Sequence, residues 1–254
     1  MSAVVVQVFG CRHDEAIHAL RRPASEKRQG TKSRDVGHRR CRGRGVLFRW
    51  RHEMLARHLN QRIREAIGHA RENQIEEPPD IVIHSFGSQL FRLLLEMPEA
   101  SDLKFGRVIA VGSVIRPDFD WSSCLRKGQV EAVFCQCGAR DGAVPLAQFF
   151  IPGTGPGARH GFMDPAVINV RDDKYGHSTA FAAEELARNL AHGGRWDRFF
   201  REPLATFSDA SQFEPGPWSP ACGLIRHFTR LRAIFLCSAA VLVPLLLLAR
   251  ALRR

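Results

Sequence analysis

The 254-residue sequence predicts an α/β fold, a mostly parallel sheet flanked by helices, and three observations carry that expectation. Short runs rich in Val, Ile and Phe recur without strict in-out alternation, as in strands buried on both faces. Amphipathic helical patterns stand between several of them. Three of the runs lead into loops holding Ser85, Asp141 and His177, and sheets of this class gather their reacting groups beyond the carboxyl ends of strands. The length suits one such domain with attachments.

Residues 3–9 (Ala-Val-Val-Val-Gln-Val-Phe) read as the first strand, closed by Gly10. Residues 1–7 are too short for a signal-peptide core and lack a basic leader, so export by that route is not expected. Residues 21–45 have no apolar period and read as a basic loop or disordered insert. Across residues 21–52, twelve Lys/Arg face only Glu26 and Asp35, so +10 of the formal charge of +11 sits there. Aromatics enter this run only at Phe48 and Trp50, which does not suit base stacking. A solvated or lipid-facing segment is expected rather than a nucleic-acid partner. Residues 46–48 look like a strand remnant. Leu55, Leu59, Ile63 and Ile67 then mark an amphipathic helix over 52–71, with His52, His58 and His69 expected mostly on its polar side.

Pro78 and Pro79 bar helix ahead of Ile81, Val82 and Ile83, whose branched side chains suit a central parallel strand. Leu90, Leu93, Leu94 and Met97 then fall on one helix face, leaving room for only a tight turn around Ser85. Two readings of Ser85 are open. Its hydroxyl either stands out above the sheet edge as a nucleophile on a G-x-S-x-G turn, or it caps the helix that follows. Gly87 supplies the second small residue of that pattern; Ile83 replaces the first and is expected to crowd the turn.

His84-Ser85-Phe86-Gly87 resembles the His-Ser-Phe-Gly elbow of the α/β-hydrolase superfamily, in its bacterial serine esterase and lipase-like members. Gly112-Ser113-Val114 followed by Phe119-Asp120-Trp121 is similar to a run lying beside the active site of those esterases. Gly161-Phe162 matches the end of a Gly-rich approach they carry. The resemblance implies a serine nucleophile at Ser85 and an oxyanion hole from the backbone N–H groups of Phe86 and Gly10. Phe9-Gly10 departs from the family's usual His-Gly pair, and the eroded segment 21–45 implies a fold trimmed near its N-terminus.

Further along, residues 105–114 and 129–137 read as strands, and residues 138–145 as the exit loop of the second. Asp141 in that loop is the acid expected to serve the site, the alternative for it alone being a turn cap with Gly142. Residues 149–163 are Gly-rich but lack the Lys-Ser/Thr ending of a phosphate loop, and read as a mobile loop beside the pocket. Residues 166–170 form the last strand, with His177 in its exit loop ahead of a helix over 179–190. Residues 193–225 are rich in Arg, Phe, Pro and Trp and read as an irregular wrap. The seventeen uncharged residues 233–249 measure about 25 Å as a helix, just enough to cross a bilayer. Three arginines flank that run on each side, so orientation stays open.

The expected organisation is thus a first strand within 1–20, a basic insert at 21–45, an α/β-hydrolase-like core at 46–192, an irregular linker at 193–232 and a transmembrane anchor at 233–249. The chain order Ser85, Asp141, His177 is that of the α/β-hydrolase catalytic triad. Asp118 or Asp120 is the alternative acid. The expected function is a membrane-anchored serine hydrolase, a carboxylesterase or lipase-like enzyme acting on small or membrane-presented acyl esters. No long insertion follows Val114 to build a lid. The alternative is a catalytically impaired hydrolase fold serving as a membrane-tethered interaction module. Seven scattered cysteines favour free thiols in a reducing compartment, hence a cytoplasmic catalytic domain, and neither a cofactor nor a metal is expected.

Overall fold

The computed structural model describes residues 4–8, 19–21 and 49–218. Gly10, most of the basic insert, the strand remnant at 46–48 and the apolar run 233–249 lie outside the described residues. Among the described residues six strands form one sheet: β1 (Val4–Val8), β2 (Ala19–Arg21), β3 (Asp80–His84), β4 (Phe105–Val111), β5 (Val130–Gly138) and β6 (Val167–Asp172). Their order is β2-β1-β3-β4-β5-β6. All neighbouring pairs are parallel except β1 with the short edge strand β2. Among the described residues, no helix is long and apolar enough to cross a membrane.

Both faces of the sheet are covered, which is why its strands read as near-continuous apolar runs. On one face Ile81, Ile83, Val108, Ala110, Val133 and Cys135 pack beneath α1 (Arg49–Glu72), α2 (Phe86–Glu96) and the short α3 (Trp121–Arg126). On the other, Val82, Ile109, Phe134 and Val170 meet α6 (Ala183–Leu190) and α7 (Arg195–Arg201). Two further helices, α4 (Ala143–Phe150) and α5 (Gly157–His160), lie between β5 and β6. Pro98 follows the end of α2 and opens a single 3-10 turn, Pro98–Ala100.

The structure departs from the sequence expectations at several places. Ile83 does not crowd the turn after β3; it points into the core and is fully buried there. His52 does not face water. True helical spacing buries His52, Ala56, Leu59 and Ile63, and the His52 ring meets the edge of Phe86 at 5.0 Å. α4 begins inside the expected exit loop 138–145 and runs into the expected mobile loop 149–163, which also holds α5, and the Gly-rich stretch is tied to the chain after β4. The amides of Gly155, Gly157 and Ala158 donate to the carbonyls of Val114, Ile115 and Ser113. Residues 195–201, read as irregular linker, form α7, whose Trp196 and Phe199 are fully buried in the core. The compact unit that holds the sheet accordingly runs on to Pro217.

Candidate active site

The strands β3, β5 and β6 all finish at one edge of the sheet, and their exit loops bring three side chains into one line. Ser85 Oγ lies 2.9 Å from His177 Nε2, and His177 Nδ1 lies 2.9 Å from Asp141 Oδ2. A carboxylate can only accept, so the imidazole hydrogen sits on Nδ1 and the Nε2 lone pair faces the Ser85 hydroxyl. Ser85 and His177 are both half-buried, the His177 side chain at 27%, while the Asp141 side chain at 1% is shut off from solvent.

Ser85 sits in the turn between β3 and α2 with φ 51° and ψ −131°, a region side chains other than glycine rarely adopt. Its side chain makes no capping bond to α2, so the hydroxyl is engaged with His177 instead of the helix. Strain of this kind costs on the order of 1–3 kcal/mol and persists only where the surroundings fix it. The buried Ser88 supplies part of that restraint. Its hydroxyl donates to the Ser85 carbonyl at 2.6 Å and accepts from the Val114 amide at 3.0 Å, tying the turn to the chain after β4. Phe86 is the first residue of α2, and its N–H has no intrahelical acceptor by position. β1 pairs Val8 with Ile83, so the chain leaves β1 at the same sheet edge as Ser85. Gly10 itself lies outside the described residues.

Asp141 is fixed from two sides. Oδ1 accepts the amides of Ala143 and Val144 at the start of α4, at 2.9 and 3.0 Å, while Oδ2 receives the His177 hydrogen. Burial alone would raise this carboxyl. The hydrogen bond and charge of His177, with the Val144 and Ala143 amides, outweigh it and hold the pKa below the ordinary aspartate value. The acid and histidine loops are also sewn together, since the Arg140 amide donates to the Tyr175 carbonyl and the Ala139 amide to that of Asp172. Neither alternative acid joins this line. Asp118 pairs with Arg116, and Asp120 caps α3 by accepting the Ser123 amide at 2.7 Å.

Two groups beside the line were not singled out by sequence reasoning. His84, the last residue of β3, places Nε2 3.0 Å from the His177 carbonyl oxygen, and its ring lies 4.8 Å from that of His177. Gly112, just past β4, leaves no room for a side chain against His177 and His84. A glycine inside a matched motif and a histidine next to the serine were the only available signals.

Burial lowers the His84 pKa from 6.5 to about 4, only partly offset by its bond to His177. The unfolded chain therefore takes up this proton first as pH falls. Stability is lost between pH 6.5 and about 4, by roughly 3 kcal/mol, and this group adds nothing further below. The depressed Asp141 works in the same direction, its contribution vanishing as pH drops through its folded value. Denaturant midpoints recorded from pH 7 to 4 should fall accordingly, and the fall over that window should flatten in His84→Phe.

Two clefts, one bordered by Arg71, Pro79 and Lys104 and the other by Phe119, Lys127 and Gln129, touch none of the residues in the line. Pro79, Lys104 and Gln129 precede β3, β4 and β5, so both clefts lie toward the opposite edge of the sheet. Cys135 and Cys137 sit side by side on β5, Sγ to Sγ 3.6 Å, and burial pushes the Cys135 thiol well up. Among the described residues no cluster of His, Cys, Asp and Glu could hold a metal ion. The parallel sheet with flanking helices is compatible with an α/β-hydrolase. No protein-family model, curated protein or solved structure matches the chain.

Proposed function

We propose that the protein is a serine hydrolase of the α/β-hydrolase superfamily that cleaves acyl esters through Ser85, His177 and Asp141. The observation that carries this reading is the unbroken hydrogen-bonded line from a strained, uncapped serine through an imidazole to a buried carboxylate. In the reaction, His177 Nε2 takes the Ser85 proton as Oγ bonds to the ester carbonyl carbon. The Phe86 N–H, joined by that of Gly10, donates to the oxygen that gains charge. The C–O bond to the alcohol breaks and the alcohol leaves with the proton from His177. A water then gives its proton to His177 and attacks the acyl-serine, which releases the acid and restores Ser85. Asp141 holds the Nδ1–H tautomer and stabilises the imidazolium formed in each half.

The substrate class follows from the short chain between β4 and β5, which holds only the six-residue α3 and no lid-sized insertion. Short or membrane-presented acyl esters suit such a site, and the uncharged residues 233–249 are the part of the sequence suited to hold it at a bilayer. A fluorophosphonate probe on the full-length protein should label one peptide, the one containing Ser85. Absence of label, or label that survives in Ser85→Ala, would overturn the reading.

A further inference from the structure

His84 occupies an unusual place for a histidine. It is the residue immediately before Ser85, 7% exposed, on the sheet face opposite the Ile81–Ile83 core, with Phe181 edge-on at 4.8 Å and the His177 ring at 4.8 Å. A carbonyl oxygen only accepts, so the 3.0 Å contact between His84 Nε2 and the His177 carbonyl requires hydrogen on Nε2. Burial in this apolar setting disfavours the charged ring and keeps His84 a neutral donor. The other bonds that order the histidine loop act beside His177. The Tyr175 carbonyl accepts from Arg140, and the Gly176 amide donates to Thr179 Oγ1 at 2.9 Å. His84 holds the carbonyl of His177 itself.

We propose that His84 is a positioning residue for His177. By donating to the His177 carbonyl and packing beneath its ring, it ties the base to the strand end that carries Ser85 and so sets the distance between Nε2 and Oγ. The inference rests on the serine-hydrolase reading for its catalytic consequence, while the positional claim stands on its own. Two residues adjacent in function are thereby joined by one bond across 93 positions of chain. A shift of about 1 Å in a base can cost on the order of 100-fold in rate, so a single such bond has leverage over chemistry that a core filler lacks.

The test uses the full-length chain with His84→Phe, which keeps an aromatic ring without a donor, and His84→Gln, whose amide nitrogen falls near the position of Nε2. Two readouts are taken. One is the downfield proton resonance of the His177 Nδ1–H, assigned by its absence in His177→Gln, which needs no turnover. The other is kcat and KM for a short p-nitrophenyl ester. His84→Phe should broaden or lose the resonance and lower kcat about tenfold with KM little changed, and His84→Gln should recover most of both. If the Phe protein does not fold by circular dichroism, His84→Asn replaces it, because its amide is one bond too short to reach the carbonyl. An intact resonance and an unaltered kcat in the donor-less variant would reduce His84 to a core filler and overturn the proposal, as would a folded His84→Gln that recovers neither. A wild-type protein without turnover or probe labelling would instead sink the hydrolase reading, while the resonance still decides the role of His84.

Discussion

Asp141→Asn is expected to lower kcat for a short acyl ester by about 10⁴-fold while leaving the fold and KM nearly unchanged. The reason lies in how the carboxylate is held. Oδ1 already accepts two backbone amides, from Ala143 and Val144. An asparagine must keep its carbonyl oxygen there, because turning its NH₂ group toward two N–H donors would set donor against donor. That forces the NH₂ group toward His177 Nδ1, where it can only donate. The imidazole then carries its hydrogen on Nε2, which faces Ser85 Oγ and can no longer take its proton. The rate loss thus arises from a tautomer and not from a missing contact. Nitrogen-15 shifts of the His177 ring, compared between the two proteins, should show the hydrogen moving from Nδ1 to Nε2. Equal rates would mean that Asp141 does not set the tautomer.

Much of this arrangement was legible because its strands are buried on both faces, so β-branched runs such as Ile81–Ile83 and the stretch at 130–138 stand out without alternation. The strand-loop placement of Ser85, Asp141 and His177 was visible for the same reason, since a residue just past such a run must emerge at the sheet edge. The helices between β5 and β6, and α7 beyond the last strand, were hidden by local chemistry. Pro145 looks like a breaker, yet it sits in the first turn of α4, where its missing N–H removes no intrahelical bond. α5 is a single turn among glycines, and α7 is too short for its period to show through its arginines. His52 was misplaced because steps of exactly four residues drift from the 3.6-residue turn, and the buried stripe runs through 52, 56, 59 and 63. The contacts of His84 and Gly112 with His177 join residues far apart in the chain, and no local pattern encodes them.

Gly112→Ala carries the second large expectation, a kcat reduced by about 100-fold together with a stability loss of about 1–3 kcal/mol. Two separate costs meet at this position. The backbone has φ +53°, where any side chain is strained, and a Cβ would stand 2.9 Å from the His177 carbonyl oxygen, 3.1 Å from His177 Nδ1 and 3.1 Å from His84 Cδ2. The first of these contacts is with backbone, so relief requires moving the histidine loop, and with it both the Asp141 and Ser85 ends of the line. Gly128 separates the two costs. It has φ +65° and open space where a Cβ would go, so Gly128→Ala suffers the backbone strain alone. Denaturant unfolding should therefore register both alanine variants, whereas ester turnover should fall only in Gly112→Ala. If both variants kept full turnover, the close approach of Gly112 to His177 would have no bearing on the chemistry. If both lost it in proportion to stability, the loss would be one of folding rather than of geometry at the serine.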